Sequence, residues 1–184
     1  MPTRSRSRVH RWPVLILLGV ALLLGVFLSS MTLDDPYVTY RYARNLLAGN
    51  GLVYNSGELV LSTTAPFYAV VLAAALLTKV VSSLSLPILS NWLNVVMLFA
   101  GGCFLYLLAA HFEQRRAGML AALLFVTSPL LWLSLGFETG LYLALVLGAF
   151  YFYFEDRLFI AASLLGLALL TRGDGILAAT VLGL

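Results

Sequence analysis

The chain has one cysteine, Cys103, two histidines and a charged fraction of only 10%. A single thiol forms neither a disulfide framework nor a thiolate zinc site within one chain, and Cys103 sits inside an apolar run as a packing residue. The sequence contains no GxGxxG, no P-loop, no CxxC pair and no Ser-His-Asp order. A nucleotide-sugar site is therefore not suggested. The scarcity of charge goes with 61% hydrophobic residues and a mean hydropathy of +0.97. An ordinary soluble domain with that much apolar surface would aggregate. The composition instead specifies an all-α, polytopic transmembrane helical protein. The net charge is +3, but Arg4, Arg6, Arg8 and Arg11 supply four of the cations. The basic balance thus reports membrane topology, and no nucleic-acid partner is implied.

Residues 1–11 form a basic tail, and the apolar run at 12–32 is expected as a first transmembrane helix. A cleavable signal peptide fits less well, because the apolar run is long and Leu28 would occupy the −3 position before a cut after Ser30. The positive flank places the N-terminus in the cytoplasm, so the chain emerges on the outer face of a plasma or inner membrane. Further apolar blocks are expected as helices at about 88–111, 117–135, 139–154, 158–171 and 175–184. The last is only about half the length of a span, which is expected of the N-terminal part of a longer protein. His111 at the end of one block is expected as an interface residue.

Crossing parity decides the block at 65–82. If it spans the bilayer, Arg115 and Arg116 fall outside, against the bias set by the N-terminal arginines. It also contains Pro66 and Lys79, ends in the Ser82-Ser83 pair and is short for a span. Residues 33–86 are therefore read as one long outer loop with juxtamembrane helices at 36–48 and 65–82, which makes 111–116 and 155–157 cytoplasmic. The outer face then collects Asp34, Asp35, Arg41, Arg44, Glu58, Lys79, Glu138, Arg172 and Asp174.

The densest chemistry lies in LDDPYVTYRYARNLLAGNG, 33–51, where Asp34, Asp35, Arg41 and Arg44 fall within eleven residues. Asp35-Pro36 reads as an N-cap followed by proline at the first helical position, and Gly49-Asn50-Gly51 as the stop. Val38, Tyr42 and Leu46 with Ala43 and Leu47 are expected on its apolar face. The carboxylate pair would sit at the helix N-terminus, where exposed N–H groups favour negative charge.

DDPYVTYRYARNLLAGNGLVYNSGE, then TTAPFY, TSPLLWLSLGFETGLYLAL and GLALLTRGDGILA follow one another in an order that resembles C-type (GT-C) membrane glycosyltransferases. These enzymes take their sugar from a polyprenyl phosphate. The similarity is nearest to the arabinofuranosyltransferase-like and the dolichyl-phosphate-mannose or aminoarabinose groups. It implies transfer of a hexose or pentose from a polyprenyl-phosphate donor to an acceptor glycan, lipid or protein on the non-cytoplasmic face, in the cell envelope. By that resemblance Asp34 and Asp35 match the acidic pair of the first outer loop, one of them acting as catalytic base. The pair could also share a divalent metal cation that neutralises the leaving phosphate.

Arg41 and Arg44, one turn apart, suit binding of a lipid-linked phosphate. Tyr37 and Tyr40 suit stacking on a sugar, and Glu138 matches the acidic position of the second outer loop. Arg172 and Asp174 match a charged turn of the family. Each group also has a plainer use. The Asp pair and Glu138 suffice as helix caps, Arg41 and Arg44 as contacts to membrane lipids, the tyrosines as belt residues, and Arg172 and Asp174 as partners of each other. A lipid-linked-sugar transporter subunit would carry ionisable groups within its spans, whereas here they gather at one surface. An inactive fragment is the remaining alternative.

Overall fold

The computed structural model describes residues 11–31, 34–58, 63–78 and 85–183. The basic tail before Arg11, Leu33, Lys79, the 79–82 end of the expected second surface helix with its serine pair, and Leu184 lie outside the described residues. Among the described residues every regular element is helical: α1 (Arg11–Leu28), α2 (Tyr37–Leu47), α3 (Pro66–Leu76), α4 (Leu86–His111), α5 (Arg115–Val126), α6 (Pro129–Trp132), α7 (Thr139–Phe154), α8 (Leu158–Thr171) and α9 (Gly175–Leu182). Two of them, α1 and α4, are long and apolar enough to cross a membrane, while α3, α7 and α8 are shorter apolar helices. At 26 residues, α4 is about 39 Å long at 1.5 Å per residue.

The central helix is α4. It packs against α1, α5 and α7, and α8 joins α7 on the far side. One core lies between α1, α4, α5 and α6, built on Leu17, Ala21, Val95, Leu98, Ala122, Val126 and Trp132. A second joins α2 and α3 to α4, α7 and α8 through Tyr40, Ala43, Tyr68, Leu72, Leu89, Leu141 and Ala168. Many apolar side chains on α1, including Leu15, Leu22, Leu23, Val26 and Phe27, are exposed. In water such a face would be costly; in lipid it is the ordinary surface of a span.

Side-chain contacts fix which helix ends lie together. The Asn91 amide near the start of α4 donates to the carbonyls of Ser29 and Met31, both at 2.7 Å, just past the end of α1. Asn94 meets the start of α7 at Gly140. At the other end His111, closing α4, lies 2.8 Å from Glu155, closing α7. Hence the end of α1, α2, the starts of α4 and α7 and the loop at 133–138 share one end of the bundle. The α4–α5 and α7–α8 turns share the other. His111 is thus held by its hydrogen bond to Glu155 and packs against Phe112 and Phe154, and does more than sit at an interface.

Four local expectations are corrected. The span expected at 117–135 is divided. Helix α5 stops at Val126, Ser128 is extended, and Pro129 opens the four-residue α6. Proline removes an amide donor and forces its predecessor out of the helical region. The Trp132 indole then donates to the freed Val126 carbonyl at 2.6 Å. The first helix ends at Leu28 and not at 32, because Asn91 captures the carbonyls that follow.

Asp35 is not a side-chain cap. Pro36 occupies that position in helical geometry with no side-chain cap bond, and the Asp34 and Asp35 carbonyls accept from Tyr37 and Val38 instead. The buried face of α2 is Tyr40, Tyr42 and Ala43, while Val38 and Leu47 are exposed. Tyr40 and Ala43 belong to the core shared with α3, which turns Val38 outward.

Candidate functional site

Helix α2 borders an open cleft of about 520 Å³, lined by Asp34, Tyr37, Val38, Tyr40, Arg41, Arg44 and Tyr54. Tyr37 and Tyr40 meet edge to face, with ring centroids 5.3 Å apart. The cleft wall at 53–58 is held from α2. Arg41 donates from Nε to the Tyr54 carbonyl at 2.9 Å and from Nη2 to Asn55 Oδ1 at 2.8 Å. Its guanidinium also lies 4.4 Å from the centre of the Tyr54 ring. Asn45 donates to the Val53 and Tyr54 carbonyls, both at 2.8 Å. Much of the Arg41 donor fork is therefore committed to the protein. Arg44 lines the same cleft and is exposed, and its guanidinium makes no hydrogen bond or ion pair with another described residue.

The two adjacent aspartates part company here. Asp34 lines the cleft and Asp35 does not. Among the described residues no group of three or more His, Cys, Asp or Glu side chains gathers as a metal-ligating cluster. A hard divalent cation at Asp34 and Asp35 would have to complete its oxygen shell from water and a bound phosphate, as magnesium commonly does. In that fit Asp34, the member of the pair on the cleft, would hold it, and it would supply charge neutralisation.

A second group lies at the α7 and α8 ends. The Arg172 guanidinium bridges two carboxylates, with Nη1 3.8 Å from Glu138 Oε1 and Nη2 3.1 Å from Asp174 Oδ2. It also lies 5.8 Å from the centre of the Tyr142 ring. The Glu138 side chain is 14% exposed and Asp174 61%, so Glu138 is the sheltered member.

The two groups are joined by contacts the sequence reading did not single out. Pro36 is buried against Gly136, whose φ is +90°. A Cβ at Gly136 would stand 2.9 Å from the Tyr40 hydroxyl and 3.1 Å from Pro36, so only glycine suits this junction. Beneath it runs a chain of buried polar groups. Asn94 donates to the Tyr68 hydroxyl at 3.0 Å, which lies 2.7 Å from the Ser90 hydroxyl. Ser90 donates to the Gly136 carbonyl at 2.9 Å, so Tyr68 is the donor to Ser90.

Asn94 also donates to the Phe137 carbonyl at 2.9 Å. Its Oδ1 receives the Gly140 amide at 3.3 Å. No buried side-chain polar atom among the described residues lacks a partner. Burial pushes the Tyr68 phenol far above the ordinary tyrosine range and raises that of Tyr40; the neighbouring Ser90 hydroxyl opposes both shifts. Both therefore remain donors at neutral pH. The warning in the sequence was LSNWLN at 89–94, polar residues spaced on one face of an apolar helix.

Over 146 residues, 74% of the chain, the sequence is 32% identical to the terminal beta-(1->2)-arabinofuranosyltransferase of Mycobacterium tuberculosis, of which the match covers 23%. Over 89 residues, 47% of the chain, it is 34% identical to the protein of the same name from Corynebacterium glutamicum, of which 12% is covered. The chain is similar to arabinofuranosyltransferases. It spans less than a quarter of the length of these curated relatives. No family model matches the chain, and no solved structure matches it.

Proposed function

We propose that this chain belongs to a membrane glycosyltransferase that moves arabinofuranose, or a similar pentose, from a polyprenyl phosphate to a glycan acceptor on the non-cytoplasmic face. The observation that carries the reading is the cleft joining Asp34 to Arg44, Tyr37 and Tyr40, in a chain similar over most of its length to arabinofuranosyltransferases. Asp34 takes the proton of the acceptor hydroxyl as that oxygen attacks the anomeric carbon. The bond from the anomeric carbon to the phosphate oxygen breaks, its electron pair leaves on the lipid phosphate, and the sugar inverts.

Arg44, with the donors Arg41 has left, meets the phosphate charge that develops. The tyrosine rings suit the apolar face of the sugar, as aromatic side chains offer a flat apolar surface with a polar edge. Glu138, Arg172 and Asp174 supply hydroxyl-binding groups on the neighbouring loops.

The test is transfer by the full-length protein in reconstituted membranes with a polyprenyl-phosphate arabinofuranose donor. Asp34→Asn combined with Asp35→Asn should abolish transfer while membrane insertion is retained. Undiminished transfer by that variant would remove the carboxylate from the mechanism.

A further inference from the structure

We infer that Asn94 of α4 is the positioning residue for Glu138, holding the loop that carries this carboxylate without itself touching substrate. The inference rests on the transferase reading, since it assigns Glu138 a task there. Asn94 is 2% exposed, and both halves of its amide are used on the backbone around Glu138. Its Nδ2 donates to the carbonyl of Phe137, immediately before Glu138, and its Oδ1 receives the amide of Gly140, two residues after. Ser90, one turn earlier on α4, takes the Gly136 carbonyl.

One helical turn of α4 therefore grips the strand of chain at 136, 137 and 140, leaving the Glu138 side chain to reach Arg172. Only an amide offers a donor and an acceptor on one short planar head; aspartate lacks the donor and leucine both. Gly140 is matched to it, because a Cβ there would stand 2.5 Å from Asn94 Oδ1. A buried amide adds little to stability over an apolar residue that packs equally well. What it adds is a single setting of the loop against the helix, and small displacements of a reacting group are costly in rate.

The experiment is a double-mutant cycle in the full-length protein, measured as steady-state transfer from a polyprenyl-phosphate arabinofuranose to a glycan acceptor. Asn94→Ala should lower kcat about 100-fold with little change in KM, and Gly140→Ala, which presses on the same amide from the other side, should do the same. Added to Glu138→Gln, Asn94→Ala should cost nothing further, because it acts through the group already lost.

Losses that multiply would overturn the inference. So would a Glu138→Gln enzyme with full turnover, an outcome that leaves the transferase reading standing. Amide exchange read by mass spectrometry is independent of turnover and holds even if the wild-type chain shows no transfer. Asn94→Ala should speed exchange across 134–142 and leave 115–126 unchanged. Unaltered exchange at 134–142 would overturn the inference.

Discussion

Arg172 stands 3.8 Å from Glu138, two side chains brought from the end of α8 and the start of α7 to the same end of the helix bundle. The same guanidinium is closer, at 3.1 Å, to Asp174 on its own turn. Arg172 is 39% exposed, so the bridge is partly screened by solvent and contributes below about 1 kcal/mol to stability. Arg172→Gln should therefore leave the thermal midpoint nearly unchanged while lowering transfer at least tenfold. A loss of stability matching the loss of activity would make Arg172 a structural residue only.

The structure separates two aspartates that the sequence left unranked. Asp34 lines the cleft with Arg44 and Tyr37, and Asp35 does not. Asp34→Asn alone should eliminate transfer, and Asp35→Asn alone should retain a substantial fraction. Single-variant rates under saturating donor check this, and the reverse order would assign the base to Asp35.

The chain of bonds from Asn94 through Tyr68 and Ser90 to Gly136 needs the Tyr68 phenol protonated. Its pKa is raised in the folded protein above the ordinary 10.0, so the native state holds this proton more tightly than the unfolded chain. The stabilisation is then complete below pH 10 and is lost as pH climbs beyond it toward the folded value. Thermal unfolding in detergent should show a midpoint that is level from pH 7 to 9 on account of this group and falls above about pH 10. Tyr68→Phe should cost about 1–3 kcal/mol at neutral pH and flatten the alkaline fall.

Glu113 follows α4 with φ +64°, a left-handed conformation that an L side chain adopts at a cost. Its amide and that of Gln114 close the helix on Ala110 and Ala109. Glu113→Gly should stabilise the protein by up to about 1 kcal/mol, read as a rise in thermal midpoint with transfer unchanged. A fall would mean the Glu113 side chain makes a contact worth more than the strain.

Most of the helical plan was legible because hydropathy and charge mark where apolar runs begin and end. The helix ending at His111, the turn at 155–157 and the gathering of Asp34, Glu138 and Arg172 at one end follow from block boundaries and charge placement. What sequence reasoning missed is tertiary. Pro129 was visible, yet its division of 117–135 depended on the Trp132 indole capturing a freed carbonyl. Asp35-Pro36 fits a cap by local rules, but the contact between Pro36 and Gly136 sets the chain there instead. Ser90, Asn91 and Asn94 were passed over inside an apolar run because their partners, 22–62 residues away, have no local signature.

The proposed function requires the carboxylate-bearing loops to lie on one side of a membrane and the arginine-bearing turn at 114–116 on the other. Single cysteines at Ser56→Cys, Gln114→Cys and Gly173→Cys, in a Cys103→Ala background, can be probed in intact cells with a thiol reagent that does not cross lipid. Positions 56 and 173 should label from outside, and position 114 only after the membrane is opened. Labelling of 114 from outside, or of 56 and 173 from opposite sides, would rule that arrangement out.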